Sequence, residues 1–78
     1  MTVNDFLKIF ADTLDVADEV TLNTNRADID EWDSMGQISI MSMLEEKFGV
    51  TLEMEELVNL ERVQDVVNIL KQRNISLD

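Results

Sequence analysis

Cysteine and histidine are both absent from this 78-residue chain. Without cysteine there is no disulfide framework and no thiolate nucleophile, and without histidine the commonest metal ligand and general base is missing. Any thiol chemistry must be borrowed. Bases are scarce as well: six Lys and Arg stand against 17 Asp and Glu, a formal charge of −11 at pH 7. That density repels phosphate backbones and anionic membrane surfaces, which argues against nucleic acid and membranes as partners. The apolar runs are far too short to span a bilayer. The opening Met1-Thr2-Val3-Asn4-Asp5 lacks the basic start and apolar stretch of a secretory signal. A cytoplasmic, monomeric protein is expected. Proline is absent too, and no repeat or low-complexity tract divides the chain, so residues 1–78 are expected to form one domain. A core of this size is only marginally stable unless its helices pack efficiently.

What is present reads as helices. Val3, Phe6, Leu7, Phe10 and Leu14 follow one helical stripe behind Thr2, with Asp5 placed to complete a capping box. The first helix is predicted to end near Asp15. From residue 16 to 33 the rhythm is lost, and Val16, Val20, Leu22 and Ile29 lie scattered among Asn, Thr and Asp: a long connection pinned by a few apolar contacts. Periodicity returns from Ser34 to Phe48, with Ile40, Met41, Leu44 and Phe48 on one side and Gly49 as the stop. Glu53 to Leu60 reads as a short third helix, with Met54, Leu57 and Leu60 one turn apart. Val50-Thr51-Leu52 is a weak strand signal with nothing to pair with. Val63, Val66, Val67 and Leu70 mark a fourth helix, whose end carries Lys71 and Arg73 to suit the negative pole of the helix dipole; Asn74 to Asp78 is expected to fray. The fold expected is all-α: a four-helix bundle with a long loop between helices one and two and a short third helix.

The segment Asp30-Glu31-Trp32-Asp33-Ser34-Met35-Gly36 delivers a serine from the irregular loop to the start of the second helix. By position alone Ser34 reads as an N-cap. Asp33-Ser34-Met35, however, resembles the Asp-Ser-Leu attachment motif of acyl carrier proteins, and the helix that follows ends, as in that family, in Leu44-Glu45-Glu46-Lys47-Phe48-Gly49. Length, helix order, long first loop, motif position and acidity agree with the family over the whole chain. The resemblance implies that a phosphopantetheinyl transferase modifies Ser34, whose hydroxyl attacks coenzyme A and acquires 4′-phosphopantetheine through a phosphodiester. The arm's thiol would then hold acyl groups as thioesters, supplying the sulfur that the chain lacks. A helix N-terminus suits the phosphodiester charge, while Asp33 opposes it. The resemblance gives Asp33 the role of presenting the serine and engaging the transferase with its metal. It gives Glu45 and Glu46 to basic patches on acyl-loading and acyl-accepting enzymes, with Met35 and Ile38 as apolar contacts between those charges. The reading that Met35 and Ile38 simply pack on the loop stands beside it. So does a general steering role for the nine acids between Asp28 and Glu56, which have only Lys47 among them.

Cargo is less constrained. Carriers of core fatty-acid synthesis usually have acids two and five residues after the serine, where this chain has Gly36 and Ser39. The motif also resembles that of D-alanine carriers of cell-wall modification, and Trp-Asp-Ser occurs in carriers of specialised pathways, so an acyl or an aminoacyl cargo fits. Met35, Met41 and Met43 either fill the core or yield to shelter an acyl chain. Trp32 either anchors the loop or meets partners. A calcium loop starting at Asp28 fails: its fifth, sixth and twelfth positions are Trp32, Asp33 and Ser39 in place of a ligand, Gly and Glu. No metal site is expected. Nor is an enzyme, since Ser34 has only carboxylates for a base. The remaining rival is an acidic helical adaptor with no prosthetic group.

Overall fold

In a computed structural model, residues 1–77 are described. Four helices appear in order: α1 (Val3–Leu14), α2 (Ser34–Phe48), α3 (Met54–Val58) and α4 (Val63–Gln72), with a 3-10 turn at Arg26–Asp28 inside the first connection. The all-α expectation holds, with boundaries within two residues; α3 is shorter than its Glu53–Leu60 signal at both ends.

Helix α1 starts with the foreseen capping box: the Asp5 amide donates to Thr2 Oγ1 at 3.1 Å, and the Thr2 amide to Asp5 Oδ2 at 3.2 Å. The Thr2 amide, first, and the Thr2 hydroxyl, second, hold the Asp5 carboxyl below its ordinary value. Asp15 ends the helix in the left-handed conformation with φ 57°, a role its short polar side chain tolerates. Phe6, Phe10 and Leu14 are buried along one stripe. They meet Ile40 and Leu44 of α2 and Val63, Val66, Val67 and Leu70 of α4 in one core. The Phe6 and Phe48 rings lie 5.9 Å apart. On α2 the buried methionine is Met43, while Met41 is only half-buried, so the face turned to the core is rotated slightly from the stripe expected.

The connection between α1 and α2 is held by more than apolar contacts. The Arg26 amide donates to the Glu61 carbonyl at 2.6 Å, Val63 to Thr24 at 3.1 Å and Gln64 to Leu22 at 3.0 Å, a short backbone ladder around an isolated antiparallel bridge between Asn25 and Arg62. Asn25 caps the 3-10 turn, accepting from the Ala27 amide at 3.0 Å. Sequence periodicity carries no trace of this pairing because it is two residues long and made by backbone.

At the other end, Arg73 does more than face the α4 dipole. Its guanidinium reaches both carboxylate oxygens of Glu56 on α3, at 2.8 and 3.1 Å. The same Glu56 accepts the Glu53 amide at 3.0 Å, capping α3. The Arg73 bond, first, and the amide, second, hold the Glu56 carboxyl below 4.5, its ordinary value. The tail is tied rather than frayed through residue 77: Asn74 turns left-handed at φ 65°, the Ile75 amide returns to the Leu70 carbonyl at 2.9 Å, and Ile75 and Leu77 pack partly against the core. Asp78, in the expected fraying tail, lies outside the described residues.

Candidate functional site

The cap of α2 is Asp33 and not Ser34. Asp33 sits in extended backbone at φ −98°, and its Oδ1 accepts the Gly36 amide at 2.8 Å. This corrects the reading of Ser34 as an N-cap: with an aspartate one residue earlier, the carboxylate takes the orphan amide and the serine moves to the first helical position. Ser34 is exposed there, and among the described residues nothing binds its Oγ. The Ser34 and Met35 amides also lack partners among the described residues. A hydroxyl is thus displayed beside two free backbone donors at the positive pole of a 15-residue helix, a setting that stabilises an attached anion. The arrangement fits a phosphodiester on Ser34.

Gly36 explains how the loop can come so close. A Cβ built there would collide with the Glu31 carbonyl oxygen and lie 3.0 Å from Leu14 Cδ2. The turn that presents Ser34 therefore folds over a bare backbone. In the sequence Gly36 stands out as a missing acid and as part of the motif shared with D-alanine carriers; its packing role needs the structure.

Trp32 anchors the loop, as one of its two readings had it. It is 2% exposed and meets Phe10 edge-on with ring centres 5.2 Å apart. Its indole N–H donates to Gln37 Oε1 at 2.6 Å, and Gln37 Nε2 donates to the Leu57 carbonyl at 2.6 Å. Gln37 is the buried polar side chain of this core, and sequence reasoning passed over it. Its only signal is a polar residue one turn before Met41 on an otherwise apolar face. Through it the loop, α2 and α3 are fixed to one another around Ser34.

Met35 and Ile38, beside Ser34 on α2, are 73% and 52% exposed. Glu45 and Glu46 are exposed three turns further along the same helix. Beside Ser34 an open cleft of about 420 Å³ runs between α2 and α3, lined by Arg26, Ser34, Gln37, Ile38, Met41, Met54, Leu57 and Val58. Met54, on the stripe expected for α3, turns to this cleft and to solvent rather than to the core. Among the described residues no helix is long and apolar enough to cross a membrane.

Comparison with known proteins agrees with this geometry. A family model described as the phosphopantetheine attachment site matches residues 4–70. The acyl carrier protein of Petrotoga mobilis (strain DSM 10674 / SJ95) is 39% identical over 67 residues, spanning 85% of this chain and 79% of its own. The solution structure of a holo acyl carrier protein from Geobacter metallireducens superimposes with a TM-score of 0.77 at 26% identity, over 91% of this chain and 83% of that one. Proteins of this kind are carriers rather than enzymes, work with a phosphopantetheinyl transferase and acyl-handling enzymes, and use a 4′-phosphopantetheine prosthetic group. This chain belongs to the acyl carrier protein family.

Proposed function

We propose that residues 1–78 act as one cytoplasmic carrier unit in which Ser34 bears the 4′-phosphopantetheine arm and presents acyl groups to successive partner enzymes. The observation that carries this reading is the division of labour at the α2 start: Asp33 takes the cap, with a 2.8 Å bond to Gly36, and leaves the Ser34 hydroxyl exposed and, among the described residues, unbonded. The arm, when attached, supplies a terminal thiol that holds cargo as a thioester.

Each nearby residue has a task. Ser34 Oγ attacks the pantetheine-side phosphorus of the coenzyme A pyrophosphate; the new P–O bond forms as the bond to the bridging oxygen breaks, adenosine 3′,5′-bisphosphate leaves, and the hydroxyl proton passes to a base of the transferase. Asp33 spends Oδ1 on the cap, and its Oδ2, unbonded among the described residues, stays open to a transferase-bound cation. The free amides of Ser34 and Met35 stabilise the phosphodiester charge. Met35 and Ile38 form an apolar contact for partners, and Glu45 and Glu46 meet basic residues beside their active-site mouths. The apolar lining given to the cleft by Ile38, Met41, Met54, Leu57 and Val58 favours a hydrocarbon cargo over an aminoacyl one.

Two measurements test this. Fragment mass spectrometry after treatment with a transferase and coenzyme A should localise the adduct to Ser34; an adduct on Ser39 or Ser42 contradicts the site. Offering the holo protein to fatty-acyl and to D-alanyl loading enzymes should give thioester with the former. Loading by the D-alanyl enzyme alone makes the chain an aminoacyl carrier, and a chain that is never modified is an adaptor.

A further inference from the structure

Arg26 stands out on charge. The loop around Ser34 exposes Asp28, Asp30, Glu31 and Asp33, so a phosphodiester on Ser34 adds negative charge to an already negative neighbourhood. Among the described residues, Arg26 is the one base lining the cleft that Ser34 lines. It is half-buried, and among the described residues its guanidinium has no hydrogen-bond or ion-pair partner, whereas Arg73 is fully engaged by Glu56. Its backbone is held firmly: Asn25 caps the turn, the Asn25 amide donates to Asp28 Oδ2 at 3.1 Å, and the Arg26 amide bonds to Glu61 at 2.6 Å. A rigidly rooted arginine that lines a largely apolar cleft amid exposed acids, with no side-chain partner among the described residues, is complementary to an anion with an uncharged, partly apolar extension.

We infer that Arg26 pairs with the phosphodiester of the arm on Ser34 and draws the arm against the apolar wall of the cleft, so that this carrier holds its arm docked rather than free. The inference rests on Ser34 as attachment site. Charge complementarity identifies the occupant: the arm begins at a cleft-lining residue, opens with a phosphodiester, and continues with uncharged atoms that suit Met41, Leu57 and Val58. A guanidinium forms paired N–H bonds to phosphate oxygens that a lysine cannot match in geometry. Arg26 is a positioning residue here, since it acts on where the arm lies and not on the reacting thiol.

The test uses isotopically labelled full-length protein in apo form and in holo form, with the adduct verified by intact mass. On conversion to holo at low salt, the Arg26 Nε–H signal should shift while that of Arg62, which does not line the cleft, stays in place. Contacts between the arm's methyl groups and Met41 and Val58 should appear in nuclear Overhauser spectra. Arg26→Gln should weaken those contacts about two- to fivefold, the range of an exposed charge pair, with Arg26→Lys retaining part of them. The apo spectrum of Arg26→Gln should match the wild type elsewhere, since no described hydrogen bond uses the side chain. A verified holo protein whose Arg26 signal does not move, or whose Arg26→Gln variant keeps full contacts, overturns the pairing and leaves the attachment site standing. Absence of any mass adduct overturns the attachment site and the pairing with it.

Discussion

Asp33 and Ser34 divide two tasks that one serine at a helix start would have to combine. A hydroxyl used as a cap is committed to a backbone amide; here the carboxylate is committed and the hydroxyl is left for chemistry. The two contributions of Asp33 can be separated. Asp33→Ala loses the bond to the Gly36 amide and should cost about 1 kcal/mol of stability, whereas Asp33→Asn keeps a competent cap and should cost little. Both should slow modification by a transferase, because both remove the charge. Urea unfolding and the initial rate of adduct formation measure the two effects, and an Asn variant modified at the wild-type rate removes the charge from the account.

At the scale of elements, the stretch that matters most is the seam where the loop, α2 and α3 meet at Gln37. Replacing Gln37 by Leu leaves the Trp32 indole N–H buried without a partner, an orphan that costs about 1–3 kcal/mol, while the Leu57 carbonyl loses one donor and keeps the Leu60 amide at 3.3 Å. A domain of this length has only about 4–12 kcal/mol in total. The variant should show an unfolding midpoint well below the wild type and faster amide exchange in α3; equal exchange would show that α3 is held by packing alone. This seam also marks where the sequence stops being informative. The stripes of α1 and α4 are readable because burial there follows the 3.6-residue period, and Thr2, Asp5 and Gly49 fall at positions that local chemistry dictates. Ser34 was readable through its motif and its place before a periodic run. Gln37, Gly36 and the Thr24–Val63 pairing were not, because each depends on residues from another element. Met54 had the period of a core residue and faces a cleft, since a five-residue helix is oriented by its neighbours and not by its own stripe.

Over the whole molecule, charge governs both stability and encounter. The Glu56–Arg73 pair ties α3 to the end of α4, and the lowered Glu56 carboxyl sets the sign of its pH dependence. A carboxyl whose folded value is depressed stabilises the fold above its unfolded value and loses that contribution as the pH falls through the folded one. The thermal midpoint of the wild type relative to Glu56→Gln should therefore be highest well above pH 4.5 and should decline below it, while parallel profiles would show the pair to be inert. In the proposed function the exposed acids of α2 meet the basic residues of partners. Reversing Glu45 and Glu46 to Lys should slow transfer to partner enzymes, more at low salt than at high, because screening shortens the reach of surface charge to about 10 Å at 0.1 M. Unchanged rates at both ionic strengths would remove steering.

In the proposed function one displayed hydroxyl, that of Ser34, makes this acidic bundle a carrier. Intact mass of the wild type and of Ser34→Ala, each incubated with a phosphopantetheinyl transferase and coenzyme A, tests it most directly. The wild type should gain the mass of one phosphopantetheine and the variant none. Equal gain in both proteins, or no gain in the wild type, would contradict it.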